Sequence, residues 1–214
     1  MRRLPVLLAA LPALALAAGG LFHPEVLTPD SADRWFGAHL VLLPLFPLVA
    51  VSMWWLLRGV PGPLAVGARV LSFAYAVLYT ALDAISGIGL SWAVDKAAER
   101  GEPGPNLGDF FFIGDRIGHP GAICLALAGV LAAMALLPRL GVLAGVGGAL
   151  VAAGGLLIWK YHVFPYEGVL GAVLVAAGLA AFAWRPQDTT SPARTSGSDS
   201  GAASTTVSTS VSGP

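Results

Sequence analysis

Hydrophobic residues in this chain gather into six runs separated by short polar stretches, and those runs set the frame for everything else. They cover about residues 4–22, 36–57, 70–92, 120–137, 142–159 and 169–184. A helix rises ~1.5 Å per residue, so runs of ~16 residues or more are close to or beyond the length that crosses a hydrocarbon layer. The pattern predicts an all-α polytopic membrane bundle of six transmembrane helices. It becomes five if the first run is a cleaved signal peptide, which Met1-Arg2-Arg3 and the small residues Ala15, Ala17 and Ala18 allow. Retention is preferred, because the apolar spans that follow need helix partners.

The connections refine that frame. Pro44 and Pro47 interrupt the second span and predict a kink. Residues 95–118 form the longest connection and read as a functional loop or cap, with Phe110, Phe111 and Phe112 dipping into the membrane interface. Pro138-Arg139 reads as a tight turn. Small residues crowd the last two spans and favour close helix contact. The expected organisation is a membrane domain over 1–185 and a disordered, Ser/Thr/Gly-rich cytoplasmic tail over 186–214.

Composition agrees: the 214 residues are 56% hydrophobic and 11% charged, with a mean hydropathy of +0.76. Soluble chains carry about 25% charged residues. One cysteine, Cys124, excludes an internal disulfide framework and a cysteine-based zinc cluster. No basic patch points to nucleic acid, so the expected partner is membrane lipid. With the amino terminus inside, seven basic residues fall on the inner side and five on the outer, where nine acids also lie. Arg58, Arg69 and Arg139 occupy inner turns that hold no acid. The positive-inside rule therefore predicts a cytoplasmic-membrane protein with both termini cytoplasmic.

Candidate chemistry begins with Asp83, the ionisable residue set deepest in an apolar run. At about 100° per residue, Ser72, Tyr75, Tyr79, Asp83 and Ser86 fall within an arc of about 80°. A mid-bilayer carboxylate costs a few kcal/mol or more, so it belongs in the bundle interior, as a proton relay or ligand contact. The plain alternative is a structural acid bonded to Tyr79 or Ser86.

The four histidines, His23, His39, His119 and His162, all lie near span ends on the predicted outer side. Imidazole is the commonest metal ligand and the usual haem ligand in membrane helices. Glu25, Asp30, Asp33, Asp115 and Glu167 add carboxylates nearby. The pattern suggests a pocket for a transition metal (copper or zinc) or haem b, used in redox or metal handling. Against it, interfacial histidines are often boundary residues, and no paired-histidine helix spacing is present. If the spans end at Trp35 and Trp92, Asp83 sits about 8 Å deeper than His39, as a floor beneath a histidine rim. A proton-coupled carrier using Asp83, and a cofactor-free scaffold, are the competing functions. No catalytic signature marks an enzyme.

Overall fold

The computed structural model describes residues 3–184; the expected tail lies outside the described residues. Helices α1 (Arg3–Leu21), α2 (Ala32–Leu42), α3 (Leu45–Leu56) and α4 (Pro63–Leu82) are followed by a π-helical segment, Asp83–Gly89. Then come α5 (Leu90–Arg100), α6 (Leu107–Leu140), α7 (Val142–Tyr161) and α8 (Tyr166–Ala183). Among the described residues, six helical stretches are long and apolar enough to cross a membrane: α1, α2–α3 together, α4 through α5, α6, α7 and α8. The all-α bundle predicted from the hydrophobic pattern is the fold.

The spans pack in the ring order α4, α6, α7, α8, α1, α3 and back to α4. Closing the ring brings the first span against the last, with Ala9, Ala13, Leu16 and Ala17 of α1 buried. The interior holds Phe46, Met53, Tyr75, Tyr79, Leu125, Ile158 and Leu179, all 2% exposed or less. Many apolar side chains, such as Leu7, Leu11, Val41, Val70 and Phe73, face outward, where a lipid environment covers them. Glycines set the closest approaches. A Cβ on Gly118 would lie 2.0 Å from Leu82 Cδ1, and one on Gly154 2.5 Å from the Gly171 carbonyl. These backbones approach to distances that only glycine tolerates.

Two sequence expectations need correction. The stretch 95–118 is not mainly a loop: α5 continues to Arg100 and α6 starts at Leu107. The Asn106 side chain accepts from the Gly108 N–H and so starts α6. The Pro138-Arg139 turn lies inside α6, and the chain reverses at Gly141, where φ is 54°. The break in the second span falls where expected, between Leu42 and Leu45.

At one end of the ring, α5 packs against α2 beyond the main core, and α6 lies beside the π segment. A small second core gathers there, with Leu27, Ala32, Trp35, Leu90 and Val94 buried and Phe110, Phe111 and Phe164 packed against them. Phe110 and Phe111 thus cap the bundle, and of the triplet Phe112 is the exposed one. The histidines lie between this cap and the main core.

Candidate metal centre

The structure sorts the four histidines into two pairs, each with its own aspartate. The first group rests on α6. Asp115 and His119 are four residues apart, so both side chains leave the same helix face, and their closest ligand atoms are 3.9 Å apart. His162 joins them from the end of α7, its Nε2 3.0 Å from Asp115 Oδ1. Its ring is inclined 30° to that of His119, with centroids 5.9 Å apart. One ligand atom from each of Asp115, His119 and His162 falls within 4.8 Å of the others. All three residues are partly exposed.

His162 is held in an unusual backbone state, with φ 57° and ψ −146°, and is the non-glycine residue with positive φ among those described. Such geometry costs about 1–3 kcal/mol and persists only where surroundings impose it. Here the surroundings are tight: a Cβ on Gly168 would lie 2.5 Å from the His162 carbonyl oxygen. A carboxylate only accepts, so the His162 Nε2–H donates to Asp115 while Nδ1 accepts from the Tyr79 hydroxyl at 3.2 Å. Tyr79, His162 and Asp115 form a continuous hydrogen-bonded line from the main core towards the surface.

The second group is buried. His23, in the turn after α1, and His39, on α2, are each 7% exposed, and their Nε2 atoms are 3.4 Å apart. Asp83, 3% exposed, has Oδ1 3.8 Å from His39 Nε2, and its Oδ2 has no hydrogen-bond partner among the described residues. Phe164 stacks on His23 with centroids 3.8 Å apart, and Trp35 lies against both rings. Burial, followed by the neighbouring His39, pushes the His23 imidazole down to about 4, so it is neutral at pH 7. Gly87 makes room for His39, since a Cβ there would meet the ring at 2.0 Å.

Asp83 is therefore beside His39 rather than 8 Å below it. Trp35 and Trp92 do not mark span ends. Instead Trp35 is buried against the histidines, and the helix runs on past Trp92 to Arg100. The π segment, with the Leu90 N–H reaching back to the Ile85 carbonyl, also places Asp83 at its opening residue.

The other candidate residues fall around or outside these groups. Ser86 donates to the Phe110 carbonyl at 2.9 Å and ties the π segment to α6. Ser72 donates to its own helix at Arg69. Tyr75 packs against Phe46 and Tyr79, its hydroxyl buried without a partner among the described residues. Glu167 is exposed in the first turn of α8, and Glu25, Asp30 and Asp33 are exposed as well, so none of the four belongs to either group. Cys124 packs against the main core. Comparison with protein families, curated proteins and solved structures finds no match.

Sequence reasoning missed the pairing of Asp115 with His119 as helix neighbours. The signal was their spacing of four, hidden because Gly108, Gly114, Gly118 and Pro120 gave the stretch the composition of a loop.

Proposed function

We propose that this chain is a cytoplasmic-membrane protein that binds a transition metal ion, copper or zinc, in a pocket facing the outside of the cell. The binding serves metal handling or redox work. One observation carries the reading: Asp115, His119 and His162 offer ligand atoms within 4.8 Å of one another. Two imidazoles and a carboxylate suit zinc or copper and leave a coordination position for exchange. The strained backbone of His162 supports a functional role, because such geometry concentrates at sites of chemistry and binding. An ion suits the histidines better than haem b. Phe164 covers the His23 ring and the Gly87 backbone abuts His39, which leaves no slot for a macrocycle between that pair.

The test is metal binding by the full chain in detergent, measured by titration with zinc and by elemental analysis after desalting. Replacing His119 and His162 together by alanine should weaken zinc binding at this group at least ~100-fold. Unchanged affinity and metal content in that variant overturn the reading.

The Tyr79–His162–Asp115 line favours a second function, proton movement coupled to transport. Proteoliposomes containing a pH-sensitive dye separate the two. Proton flux that stops in Asp83→Asn and Asp115→Asn, without dependence on metal, supports the carrier.

A further inference from the structure

Two imidazole nitrogens and a carboxylate oxygen come together in the buried group, His23 Nε2 3.4 Å from His39 Nε2 and Asp83 Oδ1 3.8 Å from the latter. His23 Nδ1 lies 2.7 Å from the Pro24 carbonyl and His39 Nδ1 lies 2.8 Å from the Trp35 carbonyl. A carbonyl only accepts, so both Nδ1 atoms carry a proton, and in its neutral form each ring presents a lone pair at Nε2. Those lone pairs face each other at 3.4 Å, and Asp83 Oδ1 stands 3.8 Å from the second. The remaining Asp83 oxygen is also buried without a donor among the described residues. His39 is the basic side chain within ion-pair reach of Asp83 there, and its free nitrogen is itself an acceptor.

We propose that His23, His39 and Asp83 form a second cation site, built for a divalent first-row transition metal and buried beneath the cap. The spacing fits such an ion. Two nitrogens each ~2.0–2.1 Å from a tetrahedral zinc are about 3.3 Å apart. Backbone carbonyls on the far ring nitrogens are the usual means of fixing a ligating imidazole's tautomer and orientation, and both rings have one. Asp83, whose Oδ1 stands 3.8 Å from His39 Nε2, is the side chain placed to serve as the anionic ligand. The site adds a second position to the one formed by Asp115, His119 and His162, and rests on different side chains. The partly exposed group is the position solvent reaches first, and the buried group is the one shielded from exchange.

The experiment measures stoichiometry with two probes, zinc and cobalt, on the full chain in detergent. Wild type should bind two ions, with cobalt giving the intense visible bands of a tetrahedral nitrogen–oxygen site. His39→Phe, which keeps a ring in the packed slot, and Asp83→Asn, which keeps the shape, should each bind one ion. His119→Ala with His162→Ala should also bind one, held at the buried group. Gly87→Ala leaves every ligand in place but displaces the His39 ring, and should weaken the second ion at least tenfold. Size-exclusion profiles and melting curves of each variant show that a lost ion is not lost fold.

A single ion in wild type, lost with His119 and His162 but kept in His39→Phe, overturns this proposal and leaves the first site standing. A single ion lost in His39→Phe and Asp83→Asn but kept in the His119/His162 variant supports it and removes the first site. Full stoichiometry in His39→Phe and Asp83→Asn shows that a shared proton, not a metal, reconciles the facing lone pairs, and the proposal fails.

Discussion

At the scale of single residues, His162 shows how this chain trades backbone comfort for placement. Its positive φ turns the chain after α7 so that the ring reaches Asp115 on one side and Tyr79 on the other. Glycine adopts that φ freely, so His162→Gly should raise the thermal midpoint in detergent by the equivalent of about 1 kcal/mol. The same substitution should remove zinc binding at the Asp115 group. A variant that melts lower than wild type would show that the ring's contacts outweigh the strain. Individual residues were also where sequence was most legible. The four histidines, Asp83, Tyr79 and Asp115 could be picked out by residue type and by position relative to the hydrophobic runs, and all seven lie in or beside the two groups. What the sequence could not show was partition into pairs, because that depends on which Nε2 faces which carboxylate across helices far apart in the chain.

At the scale of elements, the close seam between α6 and the α4–π stretch positions both groups. Gly114, Gly118 and Gly121 let α6 lie against Ser86, Leu82 and Leu78. Gly118→Ala should lower thermal stability by about 1–3 kcal/mol, the usual range for overpacking. Gly145→Ala, on a face of α7 with nothing within 4 Å, should be neutral or slightly stabilising. Equal midpoints for the two variants would mean the seam is not tight. The six spans were legible from hydropathy because a membrane demands long apolar helices. The boundaries of α5 and α6 were not, because glycine and proline in 101–120 carry a loop signature. Tertiary contact overrides it: the glycines in α6 serve packing, not chain reversal.

The whole molecule has a polar pole and an arginine pole. At the second, Arg69 donates to the Leu57 and Val60 carbonyls, and Arg139 donates to the Gly59 carbonyl at 3.0 Å. Those arginines close off the end of α3 as well as counting towards orientation, so the positive-inside argument draws on residues that packing also employs. A cysteine placed at Asp109 should label with a membrane-impermeant maleimide in intact cells, and one at Gly62 should label only after permeabilisation. The reverse pattern inverts the molecule and puts both histidine groups on the cytoplasmic side. The amino-terminal helix contributes at this scale too. Its buried face meets α8, and Gly20 approaches the Val163 carbonyl, which brings His23 beside Phe164.

The π segment has a further consequence for chain length. Seven residues wound more loosely than an α-helix amount to a local surplus of chain, and α5 beyond is phased by that surplus. One more residue, an alanine inserted after Ile88, would exceed that surplus and rotate α5 by about 100°. Leu90 and Val94 would swing out of the cap, and Trp92, now exposed, would change faces with them. Asp83 itself would stay where α4 delivers it. The insertion should therefore leave the six spans assembled by size-exclusion chromatography while opening the covered histidines, so that His23 and His39 become reactive towards diethyl pyrocarbonate. In this protein the count of residues, as much as their kind, keeps the roof closed.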